Sequence, residues 1–405
     1  MRSGGDGAPV GSNTDLFGPT GRNSTVRADP TATACCGRDS LACEPRPPSR
    51  HDGMKWGIVG FGEIAPVFIE ALRFVEGQEL TAVASRSKSR RLSTDLRFQN
   101  AKIYSDYQDL FDDPDVEVVY ICTSNQLHNA NVLAALRSGK HVLCEKPLGM
   151  SGSDAAEMVS EARGHRRFLM EGMWTRFLPA YRHSRELAKD GAIGRPAFLR
   201  ADFGFLSTWG PDRRLKNKDL VGGTLLDNAD YGLFLGQDFL GERPSRVAAF
   251  ARFCETGVED LCGIMLQYPD GSVAQLFSSF QQKTNQEALV YGDKGHLHLA
   301  SFWHGTEVAL YRNGNVERWD FPFKKNGFEF EIEAVVNAIA KGAIECSLMP
   351  HSSSIETALL MDDIIKQIDP AATRSEGVVR LDKVGADPLS PNPETKPRLE
   401  KNPAN

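Results

Sequence analysis

Between residues 54 and 176 the chain alternates short apolar runs with stretches of helical spacing. The runs read MKWGIVGFG, ELTAVAS, VEVVYICT, HVLCEK and FLMEGM. That rhythm predicts right-handed βαβ units and a parallel sheet, with HVLCEK as its fifth strand. From residue 177 the rhythm changes. FLRADFGF, RVAAFAR, LCGIMLQY, VAQLFSSF, EALVYG, HLHLA and EVALYR follow one another, and the pairs Asp270 with Gly271 and Asn313 with Gly314 carry hairpin chemistry. Phe328, Ile332, Val335, Val336 and Ile339 are spaced as one buried helix face, and SSIETALLMDDIIKQI supplies another helix. The predicted architecture is an α/β Rossmann domain, a doubly wound parallel sheet over residues 54–176. An α+β domain with a mostly antiparallel open sheet follows over 177–370, its last helices able to pack back on the first domain.

Outside these limits the pattern fails. Residues 1–53 are rich in Gly, Pro, Ser and Thr, with Leu16, Phe17 and Leu41 almost the only large apolar side chains. Such a segment cannot bury enough surface to offset its ordering entropy, so it is expected to be a disordered tail; either Met54 is the real start or the preceding residues are dispensable. Residues 371–405 read the same way.

Composition narrows the function. The 405 residues are 41% hydrophobic and 25% charged, enough for two ordinary domains. A net charge of −6 and a pI near 5.9 argue against a nucleic-acid partner. No run approaches the roughly 18 to 20 apolar residues of a membrane span, and no apolar signal-peptide core opens the chain, so a cytoplasmic protein without a membrane partner is expected. Of the eight cysteines, Cys122 and Cys144 sit in strand-like runs, the pattern of reduced buried thiols. Cys35, Cys36 and Cys43 lack histidine partners, and no metal site is expected.

GFGEIA, from Gly60 to Ala65, follows the first strand and opens a helical pattern. In that context Gly60 permits the tight turn, Gly62 lets the backbone approach a pyrophosphate, and Ala65 allows close packing. Phe61, Glu63 and Ile64 complete the loop, and the helix N-terminus supplies free N–H groups for the phosphates. ELTAVAS ends in Ser85, Arg86 and Ser87, where an NAD site would carry an acid. Arginine and hydroxyls suit a 2′-phosphate, so NADP is expected, with NAD the alternative. Arg90 and Arg91 add charge one turn later. Glu145 and Lys146 end the fifth strand, at the sheet edge that faces the ligand crevice, and Pro147 turns the chain there, a cis peptide being one way to do so. A lysine held there offers a donor and a tunable proton; a surface ion pair is the plainer reading.

GFGEIA, TSNQLH, GKHVLCEKP and GGTLLDNADY occur in that order, and together they resemble the Gfo/Idh/MocA family of pyridine-nucleotide oxidoreductases over residues 54–370. Within it the resemblance is to dimeric dihydrodiol dehydrogenases and NADP-dependent D-xylose dehydrogenases. It implies that Lys146 is the catalytic lysine, that Glu145 and Pro147 shape its site, and that Asp227 and Tyr231 act beside it. A spacing of four would put the last two on one helix face. Thr123, Asn125 and His128 would line the nicotinamide side, Trp174 and Arg176 would contact cofactor or substrate, and Arg214 would reach a substrate oxygen. Trp174 and Trp303 would offer flat surfaces to a ring.

The implied reaction moves hydride between the nicotinamide and a carbinol of an aldose such as xylose or glucose, giving a lactone, or of a cyclic trans-diol. Two rivals remain: an NAD-dependent, redox-neutral glycosidase of the same fold, and a non-catalytic NADP sensor. A homodimer or tetramer formed through the second sheet is also implied. Asn228, Ala229 and Asp230 depart from the family pattern, and Asp230 places an extra acid beside Tyr231.

Overall fold

The computed structural model describes residues 53–368. All but Gly53 of the predicted N-terminal tail, the Cys35, Cys36 and Cys43 cluster, and the C-terminal tail lie outside the described residues.

Six strands form the first sheet: β1 (Lys55–Val59), β2 (Glu79–Ala84), β3 (Lys102–Tyr104), β4 (Val118–Ile121), β5 (His141–Glu145) and β6 (Leu169–Gly172). Their order is β3-β2-β1-β4-β5-β6, and every pairing is parallel. Between them run α1 (Ile64–Phe74), α2 (Ser89–Ser93), α3 (Tyr107–Phe111), α4 (His128–Arg137) and α5 (Gly152–His165). The central strands read as unbroken apolar runs because both faces are covered: Trp56, Ile58, Val59, Val118, Val119, Tyr120 and Ile121 have no exposed surface. The chain leaves β1 toward β2 and then crosses back to β4. This reversal opens a crevice at the carboxyl ends of β1 and β4, where ligands bind in sheets of this kind.

The second sheet has eight strands: β7 (Pro196–Gly204), β8 (Arg246–Phe253), β9 (Glu259–Gln267), β10 (Val273–Ser279), β11 (Ala288–Gly292), β12 (His296–Leu299), β13 (Glu307–Arg312) and β14 (Asn315–Asp320). They lie in the order β14-β13-β12-β11-β7-β10-β9-β8. Only β7 with β10 is parallel. Both foreseen hairpins form. Asp270 Oδ1 accepts the Ser272 N–H at 3.0 Å between β9 and β10, and Asn313 and Gly314 take φ of 53° and 76° between β13 and β14, as a tight hairpin turn requires. Leu199, Val290, Leu297 and Leu310 fill the inner face, against α6 (Pro179–Lys189) and α7 (Asp230–Phe239).

Two last helices return to the first sheet. In α8 (Phe328–Ala340), Phe328 meets Phe68 of α1 edge-on with centroids 5.9 Å apart. In α9 (His351–Ile368), Asp362 accepts the Gly152 N–H of α5 at 2.9 Å. No helix among the described residues is long and apolar enough to cross a membrane.

Phe68 is fully buried and stacks on Tyr120 at 3.7 Å, so it ties α1, α8 and the sheet together. Phe68→Ala is expected to lower the unfolding free energy by about 3–5 kcal/mol in a denaturant titration.

Candidate active site

At the end of β1, Gly60 has φ of 92°, and a Cβ there would stand 2.8 Å from the Cys122 carbonyl oxygen. Both constraints require glycine. Gly62 is different: a Cβ would meet no atom within 4 Å, so internal packing does not explain the missing side chain. α1 then begins with no side-chain cap on its N–H groups, and Ala65 is buried. Phe61 and Ile64 are half-buried beside exposed Gly62 and Glu63, and the Glu63 carboxylate pairs with Arg213 at 2.8 Å. An open backbone followed by an uncapped helix start fits a pyrophosphate.

At the end of β2, Ser85 is buried and its Oγ accepts the Lys88 N–H, while Arg86 projects and lays its guanidinium over the Tyr107 ring at 4.4 Å. Lys88 Nζ reaches back to the Phe61 carbonyl at 2.7 Å. Lys88 was not among the residues singled out from the sequence. Its one signal there, a cation two residues past Arg86, is shared by any solvated turn. The turn after β2 thus carries two exposed cations, and no acid stands between Ser85 and Lys88.

The fifth strand delivers Lys146 to the sheet edge, followed by a cis bond to Pro147. The lysine side chain is only 12% exposed. Its Nζ donates to the Asp227 backbone carbonyl, stands 3.4 Å from Asp230 Oδ2, and lies 4.7 Å from the centre of the Tyr231 ring. Burial alone would push the ammonium pKa down, but Asp230, Tyr231, Asp227 and Glu145 outweigh it and hold the pKa above the ordinary lysine value. Lys146 is therefore a cation at neutral pH. Tyr231 is pushed up by burial, against the opposing pull of Lys146, and is a neutral phenol. Asp227 keeps its charge because Arg214, 2.7 Å away, and Lys146 overcome the effect of burial. Glu145 turns toward the sheet, where Tyr120 donates to it at 2.5 Å, and burial raises its pKa.

Asp227 and Tyr231 do not share a regular α-helix. Residues Leu225–Ala229 form a π-helical turn, and α7 starts only at Asp230. The regular helix expected to carry both residues is thus replaced by a π-helical turn running into α7. The Asp227 backbone carbonyl and the Asp230 and Tyr231 side chains face Lys146, while the Asp227 carboxylate turns to Arg214. Such insertions concentrate at functional sites.

The remaining candidates divide. His128 is fully buried, its Nδ1 against the Pro147 carbonyl at 2.9 Å and its Nε2 against that of Thr123 at 3.2 Å. It ties the loop after β4 to the loop after β5. Thr123 Oγ1 accepts from Asn131, and Asn125 is buried in the same loop. Trp174 is 3% exposed and stacked on Phe328 at 4.6 Å, while Trp303 is 7% exposed and stacked on Phe203 at 4.9 Å. Both are wall rather than open platform. Arg176 is a correction: its guanidinium pairs with Asp238 at 2.9 Å, both side chains at most 5% exposed, and bonds Ser353 and Gln237. A guanidinium so committed has no free face for a cofactor.

Comparison with known proteins bears on the fold that carries these residues. Residues 54–173 match the model of an oxidoreductase family with an NAD-binding Rossmann fold, and 181–298 match the GFO/IDH/MocA C-terminal domain. Trans-1,2-dihydrobenzene-1,2-diol dehydrogenase of Mus musculus is 35% identical over 328 residues, covering 78% of this chain and 97% of that protein. The chain belongs to the Gfo/Idh/MocA oxidoreductase family. Its human relative of the same name is 33% identical, again covering 97% of that protein. Among solved members of the family fold, a 3-ketoreductase from Actinomadura kijaniata, in complex with NADP and TDP-benzene, superposes with a TM-score of 0.71 at 26% identity, covering 78% of this chain and 98% of that one. Membership makes the chain an NAD(P)-dependent dehydrogenase whose Rossmann sheet carries the nucleotide.

If Arg176 serves structure alone, Asp238→Ala removes the partner of a buried cation. Such a change is expected to cost about 3–5 kcal/mol of stability. Cofactor affinity, measured by fluorescence titration at a temperature where the variant is folded, should stay within about twofold of wild type, well under 1 kcal/mol.

Proposed function

We propose that the protein is an NADP-dependent dehydrogenase of cyclic trans-diols or aldoses, with Lys146, Tyr231 and Asp227 as its reacting centre. The observation that carries this reading is the buried Lys146 ammonium, fixed at the carboxyl edge of β5 beside the Tyr231 ring. The nucleotide, when bound, supplies hydride chemistry at its nicotinamide; the chain supplies orientation and proton handling. Gly60, Phe61, Gly62, Glu63 and Ile64 would hold the pyrophosphate, Ser85, Arg86 and Lys88 the 2′-phosphate, and Thr123 and Asn125 the nicotinamide side. Lys146 Nζ donates to the reacting oxygen, and being cationic it polarises a carbonyl in the reductive direction. Tyr231, a neutral phenol, holds a second hydrogen bond or gives its proton. Asp227 and Arg214 together bind a neighbouring hydroxyl. Relatives named for a dihydrobenzenediol support the diol, and the exposed cations past β2 support NADP.

The open face of the second sheet supports a homodimer. Phe250 and Met265 are 68% and 42% exposed there, and Phe198, Tyr291, His296 and Tyr311 continue the face as a registered row. A second copy of this sheet is the partner that would cover it. The described cysteines are all free thiols, which supports a cytoplasmic setting.

Purified protein supplied with NADP or NAD and a panel of cyclic trans-diols and aldoses is expected to accumulate NADPH, read by its absorbance. No turnover on any member, with cofactor bound, would sink the reading in favour of a sensor; a free sugar released without net reduction would favour the glycosidase. Arg86→Ala and Lys88→Ala should each raise KM for NADP roughly tenfold, the loss of one charge-assisted hydrogen bond, while leaving KM for NAD unchanged.

A further inference from the structure

One acid next to the reacting centre has no role in that scheme. Asp230 is fully buried at the first position of α7. Its Oδ1 accepts the Tyr231 backbone N–H at 2.8 Å. Its Oδ2 makes no hydrogen bond and points at Lys146 Nζ from 3.4 Å. A buried carboxylate oxygen without a donor is costly and seldom tolerated without a role. The π-helical turn Leu225–Ala229 is what brings Asp230 to the lysine, since it shifts every later side chain around the helix axis.

We infer that Asp230 is the proton acceptor behind Lys146: it takes from Nζ the proton that the lysine accepts from the substrate hydroxyl, and returns it in the reverse reaction. The inference rests on the dehydrogenase reading and extends it. In oxidation the O–H bond of the carbinol breaks and its proton bonds to Nζ as Nζ releases another proton to Oδ2. The carbinol C–H bond breaks with its electron pair, which leaves as hydride for the nicotinamide. The carbinol is oxidised, the nicotinamide is reduced, and one proton rests on Asp230. Asp230 acts through Lys146, so it is a positioning residue and does not touch substrate.

The electrostatics suit that duty. Burial pushes the Asp230 carboxyl up from 3.8 to about 7, with Lys146 opposing the rise and Asp227 and Glu171 adding to it. The groups that face the pair are Lys146 from the end of β5, Asp227 from the π-helical turn, Tyr231 from α7 and Glu171 from β6; Glu145 also acts on Lys146, and Arg214 acts on Glu145 and Asp227. An acid that gains its proton near neutrality can accept and release it within one turnover.

The sign for stability follows. The folded state keeps the Asp230 proton to a higher pH than the unfolded chain, so wild type loses stability as pH rises from about 4 to about 7. Asp230→Asn lacks that loss. In thermal unfolding of the cofactor-free protein, the melting temperature of the variant should therefore rise relative to wild type from about pH 5 to about pH 8.

In kinetics, wild-type kcat/KM should show an ionisation near neutrality. Asp230→Asn should lose it and drop kcat by about tenfold to a hundredfold with KM for NADP little changed, and Asp230→Glu should restore the ionisation. An Asn variant that keeps the wild-type pH profile and the wild-type pH dependence of melting overturns the inference. Should that variant not fold, carboxyl 13C NMR of aspartate-labelled wild type decides: a resonance titrating near neutrality supports it, and full ionisation of every aspartate by about pH 5 defeats it. The melting and NMR readouts need no substrate, so wild type without turnover would sink the dehydrogenase reading while these still judge the pair.

Discussion

The site depends on keeping one ammonium charged while it is nearly dry. Taking Lys146 out of water costs several kcal/mol, and the cost is offset only by acceptors placed around it. Glu145 on the lysine's own strand supplies only part of this: the Asp227 carbonyl, the Asp230 carboxylate and the Tyr231 ring all come from the segment Leu225–Phe239. Much else reads as support for this meeting. His128 ties the loop after Pro147 to the loop after β4, Tyr120 holds Glu145 back toward the sheet, and Arg214 draws the Asp227 carboxylate aside so that its carbonyl can meet the lysine.

The two sheets divide the work. The parallel sheet places its glycine turn and its lysine along one carboxyl edge, a consequence of strand order rather than of any side chain. The antiparallel sheet presents the segment that completes the site, and its other face leaves Phe250 and Met265 exposed. α8 and α9 bind the two parts by returning to α1 and α5.

Much of this was legible in the sequence where the signal is local. The βαβ rhythm, the Gly60 turn, both hairpins and the strand-end position of Lys146 each follow from a few neighbouring residues. The three-residue β3 was not among the quoted runs, because an edge strand so short carries no apolar run. Arg176 misled because WTRF cannot reveal Asp238, 62 residues onward, which claims its charge. The π-helical turn was illegible too: LLDNAD is compatible with an ordinary helix, and the extra width is imposed by packing. Asp230 was visible as a departure from the family pattern, but only the fold shows that it faces Lys146.

The central claim is that Lys146 acts on the reacting oxygen rather than holding the fold. The most direct measurement is the kinetics of Lys146→Met, with Lys146→Arg beside it, together with NADP affinity and melting temperature. The account predicts a fall in kcat of about a hundredfold to ten-thousandfold in both, since a guanidinium cannot cede a proton, with NADP affinity within about threefold and a folded protein. Turnover within about threefold of wild type in a folded Met variant would contradict it.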